Sequence, residues 1–182
     1  MVVIFAISMG YKDPNSVLPS VQMSLSCKII PSPLGPLTLV ADQNHLVAIL
    51  WENEKMGRVK LPPMKADPRH PILIRTENQL IEFFSGTRKT FEIPIRLQGT
   101  LFQNKVWSSL SEIPFGETRT YSQMAEQINA PQSTRAVGGA IGKNPLSIIL
   151  PCHRVIGKSG KLTGFAGGMK NKTLLLELEK TA

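Results

Sequence analysis

Apolar residues change their spacing once, near Gly99, and that change restricts the fold more than any other feature of the 182-residue chain. Upstream, short apolar runs alternate with turn residues. CKII, PSPLG, PLTLVA, DQNH and LVAILW follow one another between Cys27 and Glu52, which predicts a small antiparallel meander. Residues 53–70 are polar and proline-rich and read as a loop. Leu73, Leu80, Ile81 and Phe84 then fit one face of a helix that Gly86 stops, and FEIPI predicts one more short strand. Downstream of Gly99 the pattern is helical. Thr100 with Gln103 and Thr120 with Gln123 are two capping boxes; the first opens a helix carrying Phe102, Val106, Leu110 and Ile113, the second a shorter one carrying Met124, Ala125 and Ile128. After the turn NAPQ, Ser133 is placed to cap a third helix, TRAVGGAIGK, with Ala136, Val137, Ala140 and Ile141 as its apolar stripe and Asn144-Pro145 as its stop. Gly138 and Gly139 each cost a helix about 1 kcal/mol relative to Ala, so a close backbone approach is expected there. GKSGKLTGFAGG is a hairpin signal, and a last helix starts near Lys170 with Leu174, Leu175 and Leu178 facing inward.

Segregation of strands from helices predicts an α/β protein of the α+β type. A small N-terminal antiparallel sheet with one helix (residues 23–96) would pack on a mostly helical C-terminal domain (residues 97–182). Residues 1–22 read as an extension or an upstream start, because the periodic pattern begins only at Ser24. MVVIFAISM has no Lys or Arg ahead of it and no small-residue cleavage site after it, which makes it a poor signal peptide. An apolar content of 42% with 19% charged residues argues against a disordered chain, and no apolar run of membrane-spanning length occurs. Two cysteines are too few for a disulfide scaffold or a cysteine-based zinc site, and they favour a reducing compartment.

The formal net charge of +8 is unevenly distributed. Between Gln127 and Leu176 seven basic residues (Arg135, Lys143, Arg154, Lys158, Lys161, Lys170, Lys172) occur with no acidic one. A polyanion suits such a stretch, although a solvated basic face would have the same composition. The two short helices around NAPQ, the second opening with Arg135, outline a helix-turn-helix; buried helix pairs share that outline.

Cys152 is the best nucleophile candidate. It lies inside the acid-free window, between a proline and the pair His153 and Arg154, and positive surroundings lower a thiol pKa. Adjacent side chains on an extended segment diverge, so a bridging water or a chain bend is needed for Cys152 and His153 to cooperate. Taken alone, the dipeptide fits an inert buried thiol beside a core histidine better.

The wider context changes that balance. PCHRVIG, preceded by RAVGGAIGKNP and NPLSIIL and followed by SGKLTGFAGG and a leucine-rich helix, resembles the O6-alkylguanine-DNA alkyltransferases. FQNKVWSSLSEIPFGETRTYSQMA is similar to the same family, as are PLGPLTLVA and LVAILW upstream, so the likeness runs from about Cys27 to Glu179. It implies repair of double-stranded DNA by transfer of an alkyl group from guanine O6, and from thymine O4, to Cys152, once per molecule and with no cofactor. By motif position His153 would draw off the thiol proton through a water. Glu179, in the pattern K-x-x-L-L-x-x-E begun by Lys172, would orient His153, and Asn144 would hold the active-site turn. Arg135 would enter the duplex in place of the extruded base and Tyr121 would donate to the purine, with Ser133, Lys143 and Arg154 also toward DNA. Val155, Phe165, Ala166 and Ile141 would line the pocket, the carbonyls of Cys152 and Val155 and the amide of Ala166 reading the base. Some relatives hold zinc in the N-terminal domain; Cys27 is the only cysteine available to it here, so no metal is expected. A monomer in the cytoplasm, or on the nucleoid of a prokaryote, and no membrane partner complete the expectation.

Three other classes compete. A lesion-binding protein without chemistry would lack the acceptor, whereas Cys152 is present; a Cys-His hydrolase would leave the basic window unexplained; and a transcription regulator finds no dimerisation heptad. Two positions depart from the family pattern. Ser147 stands where some members carry a proline that narrows the pocket entrance, and Phe165 stands where tyrosine is frequent. Loss of that hydroxyl removes a donor near the guanine oxygen, so Phe165→Tyr should modestly raise the single-turnover methyl-transfer rate; an unchanged rate would show that the hydroxyl has no part in it.

Overall fold

The computed structural model describes residues 24–53 and 57–181, and the expected extension over 1–22 lies outside them. β1 (Leu25–Ile30), β2 (Leu37–Ala41) and β3 (Leu46–Trp51) form the antiparallel meander. Its turns are built by local chemistry. Gly35 adopts φ +94 in the first, and in the second Asp42 Oδ1 accepts from the amides of Asn44 and His45, both at 2.8 Å.

The sheet is mixed rather than purely antiparallel. β4 (Met64–Ala66), in the stretch expected to be loop, adds to β1 in parallel and gives the order β3-β2-β1-β4. FEIPI forms a single bridge at Ile95 instead of a strand. Leu46 N donates to Pro94 O at 2.8 Å and Arg96 N to Leu46 O at 3.0 Å, but Pro94 has no amide with which to extend the ladder.

α1 (Pro71–Phe84) buries Leu73, Thr76, Gln79, Leu80 and Phe83. Ile81, expected inside, is 60% exposed, and Phe84 is only half-buried. Polar members hid the true face from a hydropathy pattern, and each is satisfied locally. Thr76 Oγ1 donates to Ile72 O at 2.7 Å; Gln79 exchanges two hydrogen bonds with the Glu92 backbone at 3.2 and 2.8 Å, which fastens the helix to the Phe91–Ile95 segment.

Both capping boxes form in full at the starts of α2 (Leu101–Leu110) and α3 (Tyr121–Gln127). β5 (Arg119–Thr120) directly precedes α3. Asn129, at φ 55, turns the chain toward α4 (Thr134–Ile141); asparagine tolerates that region better than other side chains. Ser133 occupies the N-cap position of α4, yet its hydroxyl makes no capping bond, because Pro131–Ser133 is already wound as a one-turn 3-10 segment. Ala136 is exposed, so the buried stripe narrows to Val137, Ala140 and Ile141. Neither glycine answers to a tight approach: a Cβ at Gly138 would meet the Tyr121 ring at an ordinary 3.6 Å, and nothing stands within 4 Å at Gly139.

The expected hairpin after Cys152 is a short parallel pair between β6 (Val155–Ile156) and β5, followed by a loop that Gly157 N closes onto Lys161 O at 2.9 Å. In α5 (Gly168–Thr181) the buried positions are Lys172, Leu175 and Glu179, a helical stripe with a charge at each end; Leu174 is exposed and Leu178 half-buried. One apolar cluster draws on both halves of the chain, joining Leu39, Ile49 and Phe83 to Val106, Leu110, Leu146 and Val155. The halves also meet through backbone, with Ile49 N donating to Pro145 O at 2.8 Å beside a bridge from Ile49 to Leu146. Because Thr100 closes both arms of its capping box, Thr100→Ala should cost about 1 kcal/mol of stability in urea denaturation.

Candidate active site

The turn that carries the site begins at Asn144. Its amide Nδ2 donates to Leu150 O at 2.9 Å and its Oδ1 accepts from Leu146 N at 3.0 Å, which closes residues 144–150 on themselves. Within that turn Ile148 is held at φ 77, a conformation that costs a β-branched residue about 1–3 kcal/mol, with its side chain fully buried. Arg58, from the loop after β3, donates to Asn144 O and, at 3.3 Å, to Ile49 O, and so fastens the turn to the sheet.

Cys152 follows at the start of a one-turn 3-10 segment, Cys152–Arg154, which supplies a chain bend. It is 5% exposed. Burial pushes its thiol above the ordinary cysteine range, outweighing the opposing influence of the Asn144 and Ser147 side chains and of the Arg58 and Lys172 charges. The expectation that His153 and Arg154 lower the thiol pKa is therefore corrected. At rest the thiol is protonated, and the cations acting on it come from distant parts of the sequence.

His153 is fully buried, and its Nε2 lies 2.8 Å from Glu179 Oε1. Glu179 also accepts from Arg154 Nε at 2.8 Å, Arg154 Nη2 at 2.9 Å and Gly116 N at 3.2 Å. Although burial acts to raise it, hydrogen bonds and charge from His153 and Arg154 bring the carboxyl down to about 2. Burial, against the pull of Glu179, lowers the His153 pKa and keeps the imidazole neutral. An ionised carboxylate can only accept, so Nε2 carries the imidazole proton and Nδ1 is left as the basic atom. That Nδ1 is buried and has no protein partner.

The other expected residues divide clearly. Arg135, at the second position of α4, and Lys143, just beyond its end, are exposed; Tyr121 and Ser133 are half-buried. The Tyr121 hydroxyl accepts from Thr163 Oγ1 at 3.2 Å, leaving its own proton free to donate. Arg154 cannot reach DNA. It is 7% exposed, paired twice with Glu179, and donates to Ile113 O at 2.6 Å. Phe165 and Ala166 are half-buried, with the Phe165 ring 6.4 Å from that of His153. Ile141 is a core residue, and Ser147 is fully buried rather than at an entrance.

Arg58 and Lys172 have no place in the expected set of catalytic or DNA-contacting side chains. Lys172, fully buried, donates to Val155 O at 2.6 Å and Thr163 O at 2.9 Å, bracketing the intervening loop; the Val155 carbonyl expected to read a base thus already holds an ammonium. The register of Lys172 with Leu175 and Glu179 in K-x-x-L-L-x-x-E was the one available signal, whereas Arg58 sits in a stretch with no pattern. A cleft of about 280 Å³ beside the turn is lined by Arg58, Lys60, Lys143 and Pro145 but not by Cys152, so it is a seam between the halves rather than the reacting site. Among the described residues no group of three or more His, Cys, Asp or Glu side chains converges as a metal site would require.

Two short helices joined by a turn, with an exposed arginine near the start of the second, beside a buried cysteine adjoining a histidine-glutamate pair, form the arrangement expected of a DNA-binding protein that uses a thiol. Residues 101–181 match the DNA binding domain, and residues 25–97 the ribonuclease-like domain, of 6-O-methylguanine DNA methyltransferase. The chain belongs to that family. It is 46% identical over 156 residues to the methylated-DNA--protein-cysteine methyltransferase of Mycobacterium tuberculosis strain H37Rv, spanning 85% of this chain and 92% of that one. The inducible methylated-DNA--protein-cysteine methyltransferase of Bacillus subtilis is 44% identical over 153 residues, 84% of each chain. The crystal structure of M. tuberculosis OGT in complex with DNA superposes with a TM-score of 0.79 at 44% identity, covering 86% of this chain and 93% of that one.

The buried pair makes stability depend on pH. His153, with its pKa lowered in the fold, stays neutral where the unfolded chain takes up a proton, so stability should fall as pH drops below about 6.5. Glu179, lowered from 4.5 to about 2, contributes stability that is complete above 4.5 and is lost as pH falls toward 2. Thermal denaturation across pH should show both losses. Glu179→Gln should flatten the lower one and cost about 3–5 kcal/mol at neutral pH by leaving Arg154 without a counter-charge.

Proposed function

We propose that this chain repairs DNA by accepting, once per molecule, a methyl or other alkyl group from O6 of guanine, or O4 of thymine, onto Cys152 Sγ. The observation that carries the reading is the His153 ring, which is fixed by Glu179 on one nitrogen and presents its other, buried nitrogen without a protein partner on the residue next to the thiol. As the base docks, the Cys152 proton passes to His153 Nδ1, directly or across one solvent molecule, and Glu179 stabilises the imidazolium so formed. The S–C bond forms as the C–O6 bond breaks. The bonding pair leaves on the guanine oxygen, and the Tyr121 hydroxyl is a donor suited to the charge developing on the purine. A thioether remains, so the molecule acts once.

The target atom is out of reach inside a duplex, and rotating the nucleotide out costs a few kcal/mol. Arg135, exposed near the start of α4, has a planar head able to stack in the space the base leaves. Asn144 serves as the positioning residue of the turn, and Lys143 as a phosphate contact. The reading extends to double-stranded DNA carrying alkylated guanine as substrate, to a monomer, and to a cytoplasmic site of action, with which two free thiols agree. A lesion-binding protein without chemistry is not favoured, since the acceptor Cys152 is present.

Incubation with duplex DNA containing O6-methylguanine, followed by intact and peptide mass spectrometry, should find one methyl group per protein, confined to the Cys152 peptide. Repeated turnover would indicate a hydrolase, and tight binding without an adduct a lesion sensor. Arg135→Ala should slow repair in duplex about tenfold or more while sparing transfer from the free base, and affinity for DNA should fall steeply with added salt.

A further inference from the structure

We propose that Trp51, the last residue of β3, sets the position of the 165–167 loop through Gly167 and thereby limits the size of alkyl group that Cys152 accepts; this rests on the alkyl-transfer reading above, which makes that loop the wall of the base pocket. Trp51 belongs to the sheet, pairs with Leu37 on β2 and is 5% exposed. The backbone at Gly167 lies against its indole. A Cβ added at 167 would stand 2.6 Å from Cε2 and Cζ2, closer than carbon atoms tolerate. Two residues earlier, the Phe165 ring meets the same indole edge-on, with centroids 5.4 Å apart and planes at 69°. Phe165 in turn stands edge-on to His153, at 6.4 Å and 78°. A line of ring contacts therefore runs from the sheet to the proton acceptor.

The loop that carries this wall is held at two points. Lys172 holds the carbonyls of Val155 and Thr163 on one side, and Trp51 holds residues 165 and 167 on the other. Between them a Cβ added at Gly164 would meet nothing within 4 Å, so the loop has open space on that side. Side chains facing a cavity relax only partly into it, and a loop seated on a smaller residue regains freedom that a rigid indole denies. A smaller side chain at 51 should let Phe165 and the backbone at 166–167 withdraw from the His153 side of the site. Methyl transfer, which needs close positioning, then slows, while a bulky group gains room.

Three variants test this: Trp51→Leu, Gly167→Ala and the double variant. Each is assayed in single turnover with O6-methylguanine duplex and with free O6-benzylguanine as the bulky probe, alongside thermal denaturation. Trp51→Leu should slow methyl transfer and raise the benzyl-to-methyl rate ratio about fivefold or more. Gly167→Ala should slow both reactions about tenfold, by pushing the loop off the indole, and adding Trp51→Leu should restore at least about threefold of the methyl rate. A ratio unchanged within about twofold in a destabilised Trp51→Leu protein would make the indole a core filler and overturn the proposal. A double variant no faster than Gly167→Ala would overturn it as well, and this comparison needs no property of Trp51→Leu alone. Failure of the unaltered protein to form any Cys152 adduct would instead overturn the alkyl-transfer reading.

Discussion

Four N–H groups converge on the Glu179 carboxylate, and the site depends on that convergence. They come from His153, from two atoms of Arg154 and from the Gly116 backbone, so one side chain near the end of α5 joins the 152–154 turn to the segment after α2. Burying a carboxylate costs several kcal/mol unless it is fully hydrogen-bonded and balanced by charge. Here Arg154 supplies the charge through two bonds, while burial keeps His153 neutral and the carboxylate determines its tautomer. Arg154 is thereby withdrawn from any contact with DNA. A residue that belongs to the basic surface by composition is part of the interior by position.

The same burial explains how a reactive thiol stays quiet. Desolvation holds Cys152 in its protonated form despite Arg58 and Lys172, so the proposed nucleophile is not a standing thiolate open to any electrophile. Reaction needs a base aligned to take the proton and a substrate already in place. That arrangement suits a protein that can use its cysteine only once. The N-terminal half holds the site in place: Arg58 and Ile49 tie the Asn144 turn to β3, and Trp51 packs against Phe165 and Gly167 of the later loop.

Much of this was legible in the chain. Both capping boxes formed as Thr100 and Thr120 predicted, since a cap is satisfied within four residues and needs no distant partner. The meander was legible for a related reason, because strand alternation and turn chemistry are local. Ile81 and Leu174 were misassigned inward because hydropathy cannot see Thr76, Gln79, Lys172 or Glu179, polar residues that are buried with their partners. β4 escaped notice because its three residues, Met64–Ala66, are all exposed and make a strand only by pairing with β1. In the site, Cys152 stood out beside His153 and Arg154, and His153, Asn144 and Glu179 took their expected roles only from the family resemblance, while Arg58 lies in a stretch with no pattern.

The sequence by itself determined the three-stranded meander, the starts of α2 and α3 and the adjacency of Cys152 to His153, because each depends on residues that neighbour one another along the chain. Tertiary structure alone decided the protonation of Cys152, the tautomer of His153, the inward turn of Arg154 and the seating of the 165–167 loop on Trp51. These depend on desolvation and on contacts between segments as far apart as Trp51 and Gly167. No local pattern encodes how deeply a group is buried or which charge faces it.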